Sequence, residues 1–177
     1  GSAANTKHTF TYSLQLQGSA GRCIPYTNTA RISETGQSDS ATVTVCWPVN
    51  PTVSKTAAGT YDRTYLWAIE KEADQTSVET DGLSGTEVNY TVTATPDGYL
   101  DDGWALTGTI TVSNPNDFQS MTVDITDMPN IGGGASCAVL NGDDVIVPAG
   151  TLVNGLVVPG TATRTYTCTI PQQPLYT

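Results

Sequence analysis

The stretch that decides the fold is Thr64-Tyr65-Leu66-Trp67-Ala68-Ile69-Glu70-Lys71-Glu72. Successive side chains of a strand point to opposite faces, so a strand here places Tyr65, Trp67 and Ile69 on one side. That apolar side is expected to face a core. Lys71 falls on the same side, which makes it a polar residue on a face that we expect to be buried.

The same alternation recurs along most of the chain, between clusters of Gly, Pro, Asn and Asp, and no window shows the apolar spacing of a helix. Thr, Val, Tyr and Ile fit a pleated, half-buried sheet. The sequence therefore predicts an all-β fold. Strands are predicted at residues 9–17, 29–34, 41–47, 61–72, 86–95, 105–114, 121–127, 137–140, 144–147 and 161–170.

The domain organisation follows from one break in this pattern. Residues 48–60 contain Pro48 and Pro51 and show no alternation, which is typical of a linker. We therefore expect an N-terminal β-segment over residues 1–47, a linker over 48–60 and an antiparallel β-sandwich over 61–177.

The charge balance excludes several partners. The chain carries 17 Asp and Glu against 7 Lys and Arg, a net charge of −10. Nucleic acids and anionic membrane surfaces select basic patches, so neither is an expected partner. No apolar run reaches the roughly 20 residues that a membrane helix needs, so membrane insertion is not expected.

The cysteines predict disulfides. Cys23, Cys46, Cys137 and Cys168 form no C-x-x-C pair, which argues against a zinc site. Three connectivities are possible; we favour Cys23–Cys46 and Cys137–Cys168, because each pair brackets a hairpin-like segment. Four buried free thiols are the alternative. Two disulfides would indicate an oxidising, extracellular compartment.

Catalytic chemistry is not indicated. A nucleophile needs a positioned base, and the single histidine, His8, lies near the start of the chain. No Ser-His-Asp or Cys-His arrangement can be assembled, and no glycine-rich phosphate loop separates a strand from a helix. We therefore expect a protein that is not an enzyme.

Three polar residues predict a possible cross-link. Parity places Lys71, Asn114 and Asp127 on apolar strand faces, near strand ends. A buried amine next to an amide and a protonated carboxyl has the chemistry of a spontaneous isopeptide bond, because desolvation keeps the amine nucleophilic. The alternative is that Lys71 extends its stem over Trp67 and reaches water.

Two acidic loops offer hard oxygen ligands for Ca²⁺, although neither has the spacing of a known calcium loop. Solvated turns are the alternative interpretation. The candidate ligands are Asp97, Asp101, Asp102, Asp143 and Asp144.

The tryptophans offer a ligand platform. Trp47 and Trp104 stand next to turn residues and are the candidates for an exposed aromatic surface, whereas Trp67 is expected in the core. Such a surface would bind a carbohydrate or a peptide.

The two ends of the chain are similar. The end reads Thr163-Arg164-Thr165-Tyr166-Thr167-Cys168, and the start reads Thr9-Phe10-Thr11-Tyr12-Ser13-Leu14. Three interpretations fit: the chain is one part of a tandem array, each unit takes its closing strands from a neighbouring copy, or short Thr-rich strands are similar by chance.

A resemblance rests on three strings: Trp67-Ala68-Ile69-Glu70-Lys71, Gly103-Trp104-Ala105-Leu106-Thr107-Gly108-Thr109-Ile110-Thr111-Val112-Ser113-Asn114-Pro115-Asn116, and Val123-Asp124-Ile125-Thr126-Asp127. Over residues 61–170 the chain resembles the conserved-repeat β-sandwich domains of bacterial cell-surface proteins. The resemblance implies an Ig-like sandwich in a secreted or wall-attached protein, and it implies no ligand.

These observations predict a structural or adhesive module of a secreted or cell-surface protein, one link of a stalk or fibre. One alternative is a self-assembling filament subunit, completed by strand exchange between the end of one copy and residues 28–45 of the next. The other alternative is a carbohydrate-binding module. The expected partners are neighbouring copies or repeats of the same protein and a host or environmental glycan or protein.

Overall fold

The fold is all-β, as the alternating pattern predicts. A computed structural model describes residues 7–175, and these residues form strands, turns and irregular segments without a helix. No helix long and apolar enough to cross a membrane therefore occurs among them. The strands are β1 (Arg22–Arg31), β2 (Ser38–Trp47), β3 (Thr52–Lys55), β4 (Ala58–Ala73), β5 (Tyr90–Asn114), β6 (Met121–Val123), β7 (Ser136–Val139), β8 (Val145–Val147), β9 (Thr151–Val153), β10 (Leu156–Val158) and β11 (Gly160–Thr169).

The chain divides into two compact units, each made of three separate segments. Unit 1 holds the chain up to Lys55 together with Ile110–Ile125 and Asn141–Arg164. Unit 2 holds Thr56–Thr109, Thr126–Leu140 and the chain from Thr165 onward. The strand order β3-β5-β11-β7 forms one sheet, in which β4 also pairs with β5, and β1-β2, β6-β8 and β9-β10 form two-stranded sheets.

The first hairpin of unit 1 has two different faces. Antiparallel β1 and β2 place Cys23 directly opposite Cys46, and the two form a disulfide. On the same face, the Thr27 and Thr42 hydroxyls are hydrogen-bonded across the strands at 2.9 Å. The opposite face carries the larger side chains Ile24, Tyr26, Val43, Val45 and Trp47.

Two asparagines continue the buried face of β5 into unit 1. Ile110, Val112, Asn114 and Asn116 are all buried at a spacing of two residues. The Asn114 amide nitrogen donates to the carbonyl oxygens of Gln119 at 2.8 Å and Pro148 at 3.1 Å.

The Asn116 side chain binds both polar backbone groups of Val49. Its Oδ1 accepts from the Val49 N–H at 2.8 Å, and its Nδ2 donates to the Val49 carbonyl at 2.8 Å. Asn116 Nδ2 also donates to Asn114 Oδ1 at 2.9 Å. The two amides thus satisfy backbone groups that would be costly to bury unpaired.

The core of unit 2 centres on one aromatic residue of β11. Tyr166 is buried, and its hydroxyl donates to the Thr56 carbonyl at 2.8 Å. Gly108 makes room for it, since a Cβ there would lie 2.1 Å from the Thr56 oxygen and 2.8 Å from the Tyr166 ring. Cys168 lies two residues after Tyr166 on β11 and is also buried. It stands opposite Cys137 of β7, and these two residues form the second disulfide.

The disulfides have the connectivity that spacing favours, whereas several strands differ from the sequence prediction. Residues 9–17 belong to no strand. Residues 48–60, expected as a linker, contain β3, which pairs with β5. Residues 96–104, expected as a loop, lie inside β5, because two glycine bulges let the strand continue. The hairpin of β9 and β10 was not predicted.

The predicted burial of the deciding stretch is wrong. Its strand exists, since β4 pairs with β5 over most of its length. However, Tyr65 is 67% exposed, Trp67 60% and Ile69 74%. Alternation identifies an apolar face correctly, but it does not show whether another element covers that face.

We expect Asn114→Ala to lower the free energy of unfolding by about 2–3 kcal/mol, because the Gln119 and Pro148 carbonyls lose their donor in a buried setting. Urea denaturation followed by circular dichroism measures this change. The matched control is Asn89→Ala, which removes an exposed amide bonded to Asp74 and should cost about 0.5 kcal/mol or less. Equal losses for both variants would contradict the role given to Asn114.

The two disulfides should differ in accessibility to reductant. Cys168 is fully buried, whereas Cys46 is exposed and Cys23 half-buried. Under native conditions with limiting dithiothreitol, Cys23–Cys46 should therefore be reduced first. Alkylation and peptide mass spectrometry identify the order; earlier labelling of Cys137 and Cys168 would overturn this account of unit 2.

Candidate functional site

A cleft of about 600 Å³ in unit 2 is the first candidate site. This volume lies within the range of small-molecule sites, roughly 300–1,000 Å³. The lining residues come from β4, β5, the segment between β6 and β7, and the chain after β11: Gly59, Thr60, Tyr61, Arg63, Tyr99, Asp101, Trp104, Ala105, Leu106, Ile131, Ile170, Gln173 and Pro174. Together these residues form the aromatic cleft.

A bulge in β5 turns Trp104 into the aromatic cleft. Thr60 pairs with Ala105 and Asp62 with Asp102, so two β5 residues, Gly103 and Trp104, stand against one residue of β4. A bulge of this kind redirects the next side chain. Gly103 has a φ of 61°, and a Cβ there would lie 2.6 Å from the Asp62 carboxylate.

The redirected indole stacks on Tyr61. The two ring centroids are 4.9 Å apart and the ring planes meet at 22°. Offset stacking at this distance is favourable for aromatic pairs. Tyr61 is 48% exposed and Trp104 is half-buried, so the stacked pair keeps ring surface open to the cleft.

An ion pair fixes the polar side of the aromatic cleft. Arg63 donates from Nε to Asp101 Oδ1 at 2.6 Å and from Nη2 to Oδ2 at 2.8 Å, a bidentate arrangement. Its guanidinium also lies 3.9 Å from the Tyr99 ring centroid and 5.5 Å from that of Tyr61. Arg63 is therefore held between two rings as well as by a carboxylate.

The ion pair shifts the titration of both partners. The hydrogen bond from Arg63 lowers the pKa of Asp101 below its ordinary value, and the hydrogen bond to Asp101 raises the pKa of Arg63. Asp101 thus stays ionised, and the pair stays intact, below the pH at which an ordinary aspartate is protonated.

A second candidate surface is the irregular segment of residues 9–17 in unit 1. Its alternate side chains are apolar and exposed: Phe10 87%, Tyr12 67%, Leu14 59% and Leu16 37%. Tyr12, Leu14 and Leu16 line a shallow recess with side chains of β1 and β2. Asn28 donates to the Tyr12 hydroxyl, and Tyr26 donates to the Gln17 carbonyl at 2.6 Å.

The predicted cross-link lacks its buried amine. Lys71 is exposed in unit 2, where its ammonium lies 4.4 Å from the Tyr90 ring centroid. In unit 1, the Asn114 amide is already engaged by backbone carbonyls. Asp127 approaches Cys168 Sγ at 3.9 Å. An exposed lysine keeps its ordinary hydration, so the desolvation that the reaction needs is missing and the cross-link prediction is wrong.

The predicted calcium ligands do not form one cluster. Asp101 is paired with Arg63, and the Asp144 N–H, rather than its carboxylate, bonds to Asp124 at 2.9 Å. Within residues 7–175, the one group of three potential ligands is Asp127, Cys137 and Cys168, and both cysteines are in a disulfide. The remaining candidates, Asp97, Asp102 and Asp143, are exposed.

The predicted ligand tryptophans have different surroundings. Trp104 lines the aromatic cleft, whereas Trp47 is 56% exposed at the end of β2 in unit 1. Sequence reasoning did not identify Tyr61, Arg63 and Tyr99 as a site. Their grouping depends on the register of β4 with β5, and the Gly98 and Gly103 bulges that set this register have no clear sequence signal.

The lowered pKa of Asp101 gives a test of the ion pair. NMR-monitored titration of the Asp101 carboxyl should give a midpoint below that of an ordinary aspartate. Because the shift comes from Arg63, Arg63→Met should raise the midpoint. A midpoint that does not change in this variant would show that the hydrogen bond is not formed in solution.

Comparison with protein-family models, with curated proteins and with solved structures found no match for this chain. The site therefore has to be interpreted from its own geometry.

Proposed function

We propose that this protein is a non-enzymatic structural and adhesive module of a secreted or cell-surface bacterial protein, and that its copies join into a fibre by exchanging residues 9–17. The observation that carries the proposal is the row of exposed apolar side chains on this segment. The finer architecture that we propose is the Ig-like sandwich, a fold that suits a stalk.

The exchange has a physical reason. A segment that alternates apolar and polar side chains has the pattern of a half-buried strand, yet no strand ladder includes residues 9–17 in the described chain. The Gln17 carbonyl accepts from the Tyr26 hydroxyl, and Leu14 and Leu16 lie against the Tyr26 and Val43 face of the hairpin. Seating the segment on the same face of another copy would bury its apolar side chains against that copy.

The acceptor follows from the contacts that the segment already makes. The recess against β1 and β2 and the hydrogen bonds of Tyr12 and Tyr26 show that the two surfaces fit. A contact that forms within one chain also fits between two copies, which is the basis of strand swapping. We therefore propose β1 and β2 of the next copy as the acceptor.

Two features support the proposed extracellular location and the proposed non-enzymatic role. Two disulfides are typical of proteins from an oxidising, extracellular environment, and they leave no free cysteine in the described chain. His8, the single histidine of the sequence, is exposed. Neither residue type therefore offers an activated nucleophile.

Substitution of Leu14 tests the exchange. Wild-type protein should form larger species as its concentration rises, in light scattering coupled to size-exclusion chromatography. Leu14→Asp should shift these species to monomer, because assembly would bury its charge. Gln15→Asp adds the same charge one residue away, on the opposite face, and should leave assembly largely intact.

The size distribution separates the outcomes. Open chains seen by electron microscopy would support the fibre, since a head-to-tail exchange does not close. Closed dimers would support the exchange and overturn the fibre. A wild-type protein that stays monomeric at its highest soluble concentration would overturn both.

A further inference from the structure

We infer that the aromatic cleft of unit 2 is a binding site for a neutral saccharide, with one sugar ring packed on the stacked Tyr61 and Trp104 side chains. This site shares no residue with the segment proposed for assembly. The inference therefore stands independently of the fibre and gives the module an adhesive partner.

The stacked Tyr61 and Trp104 rings provide a rigid apolar surface. Tyr61 and Trp104 restrain each other at 4.9 Å, and the Gly103 bulge fixes the indole on the cleft side of β5. Aromatic faces carry negative charge density, which attracts the weakly positive C–H groups on the face of a sugar ring. Because the rings are already ordered, binding would cost little side-chain entropy.

The Arg63–Asp101 ion pair provides directional polar contacts beside this aromatic surface. Asp101 engages Nε and Nη2 of Arg63, which leaves the Nη1 group of the guanidinium to donate to a ligand hydroxyl. Gln173 lines the same cleft, and its amide can both donate and accept. A flat apolar surface next to paired donors and acceptors matches the two kinds of surface on a sugar.

Local charge favours a neutral ligand over an anionic one. The positive charge of Arg63 is balanced by Asp101, so the polar side of the cleft carries no net positive charge. The whole chain carries a net charge of −10. A sulfated or carboxylated glycan would therefore be repelled.

Another occupant of an aromatic groove is a proline-rich peptide, since such peptides bind aromatic-lined grooves. The acceptors in the cleft, the Asp101 carboxylate and the Gln173 amide oxygen, favour the saccharide, because proline has no backbone N–H to donate to them. The peptide is kept as an outcome of the test.

The test is a binding titration with defined probes. The probes are neutral oligosaccharides built from glucose, xylose, mannose or N-acetylglucosamine, with heparin as the anionic probe and a proline-rich peptide as the alternative. Tryptophan fluorescence and ligand-observed NMR report binding to the full chain. The Leu14→Asp variant is titrated as well, so that a loss of assembly is not mistaken for a loss of binding.

The variants localise the site. Trp104→Ala should weaken binding of the best neutral oligosaccharide by about tenfold or more, as expected when one stacking ring is lost. Trp47→Ala removes an exposed tryptophan of unit 1 and is the matched control, with unchanged affinity expected. Because Trp104 is half-buried, Tyr61→Ala repeats the test, and circular dichroism confirms that each variant is folded.

Weakened binding in Trp104→Ala and Tyr61→Ala, with unchanged binding in Trp47→Ala, is the expected result. Three outcomes would overturn the inference: no neutral oligosaccharide binds, heparin or the peptide binds instead, or Trp104→Ala binds as tightly as the wild-type chain.

Discussion

The constraint on which the rest of this structure depends is the shortage of covered apolar surface. Burial of apolar side chains is the main favourable term in folding. Among residues 7–175 the buried apolar side chains are few: Ile110, Val112, Ile125, Val145 and Val147 in unit 1, and Tyr166, Cys168 and Ile170 in unit 2. Large side chains on β4 and on residues 9–17 remain in contact with solvent. The fold therefore needs other sources of stability, and it has apolar faces left for association.

Covalent and polar bonds supplement the small apolar core of the two units. In unit 1, the amides of Asn114 and Asn116 satisfy backbone groups of Val49, Gln119 and Pro148. Each unit also contains a disulfide between directly opposed residues of neighbouring strands. Closing loops of this size can stabilise a domain by about 3 kcal/mol. These devices explain how strands with exposed faces stay ordered.

The same shortage explains what the sequence could and could not predict. Alternation identified most strands, but it missed β3, β9 and β10 and placed a strand at residues 9–17 that does not form. The spacing of the cysteines favoured the observed disulfides. Whether a face is covered is decided by tertiary packing, so the burial of Trp67 and the role of Lys71 were predicted wrongly. Trp104 was recognised as a ligand candidate because it stands beside turn residues. Its partners depend on strand register, which local pattern does not contain.

The exchange of residues 9–17 is the central claim, and covalent trapping tests it most directly. Leu14 and Val43 line the same recess, one on the segment and one on β2. In a Leu14→Cys, Val43→Cys double variant, oxidation should join the two new cysteines wherever the segment is bound. The account predicts disulfide-linked dimers and longer chains on non-reducing gels, dispersed by reductant. Cross-linked monomers alone, at concentrations where the wild-type protein would assemble, would contradict it.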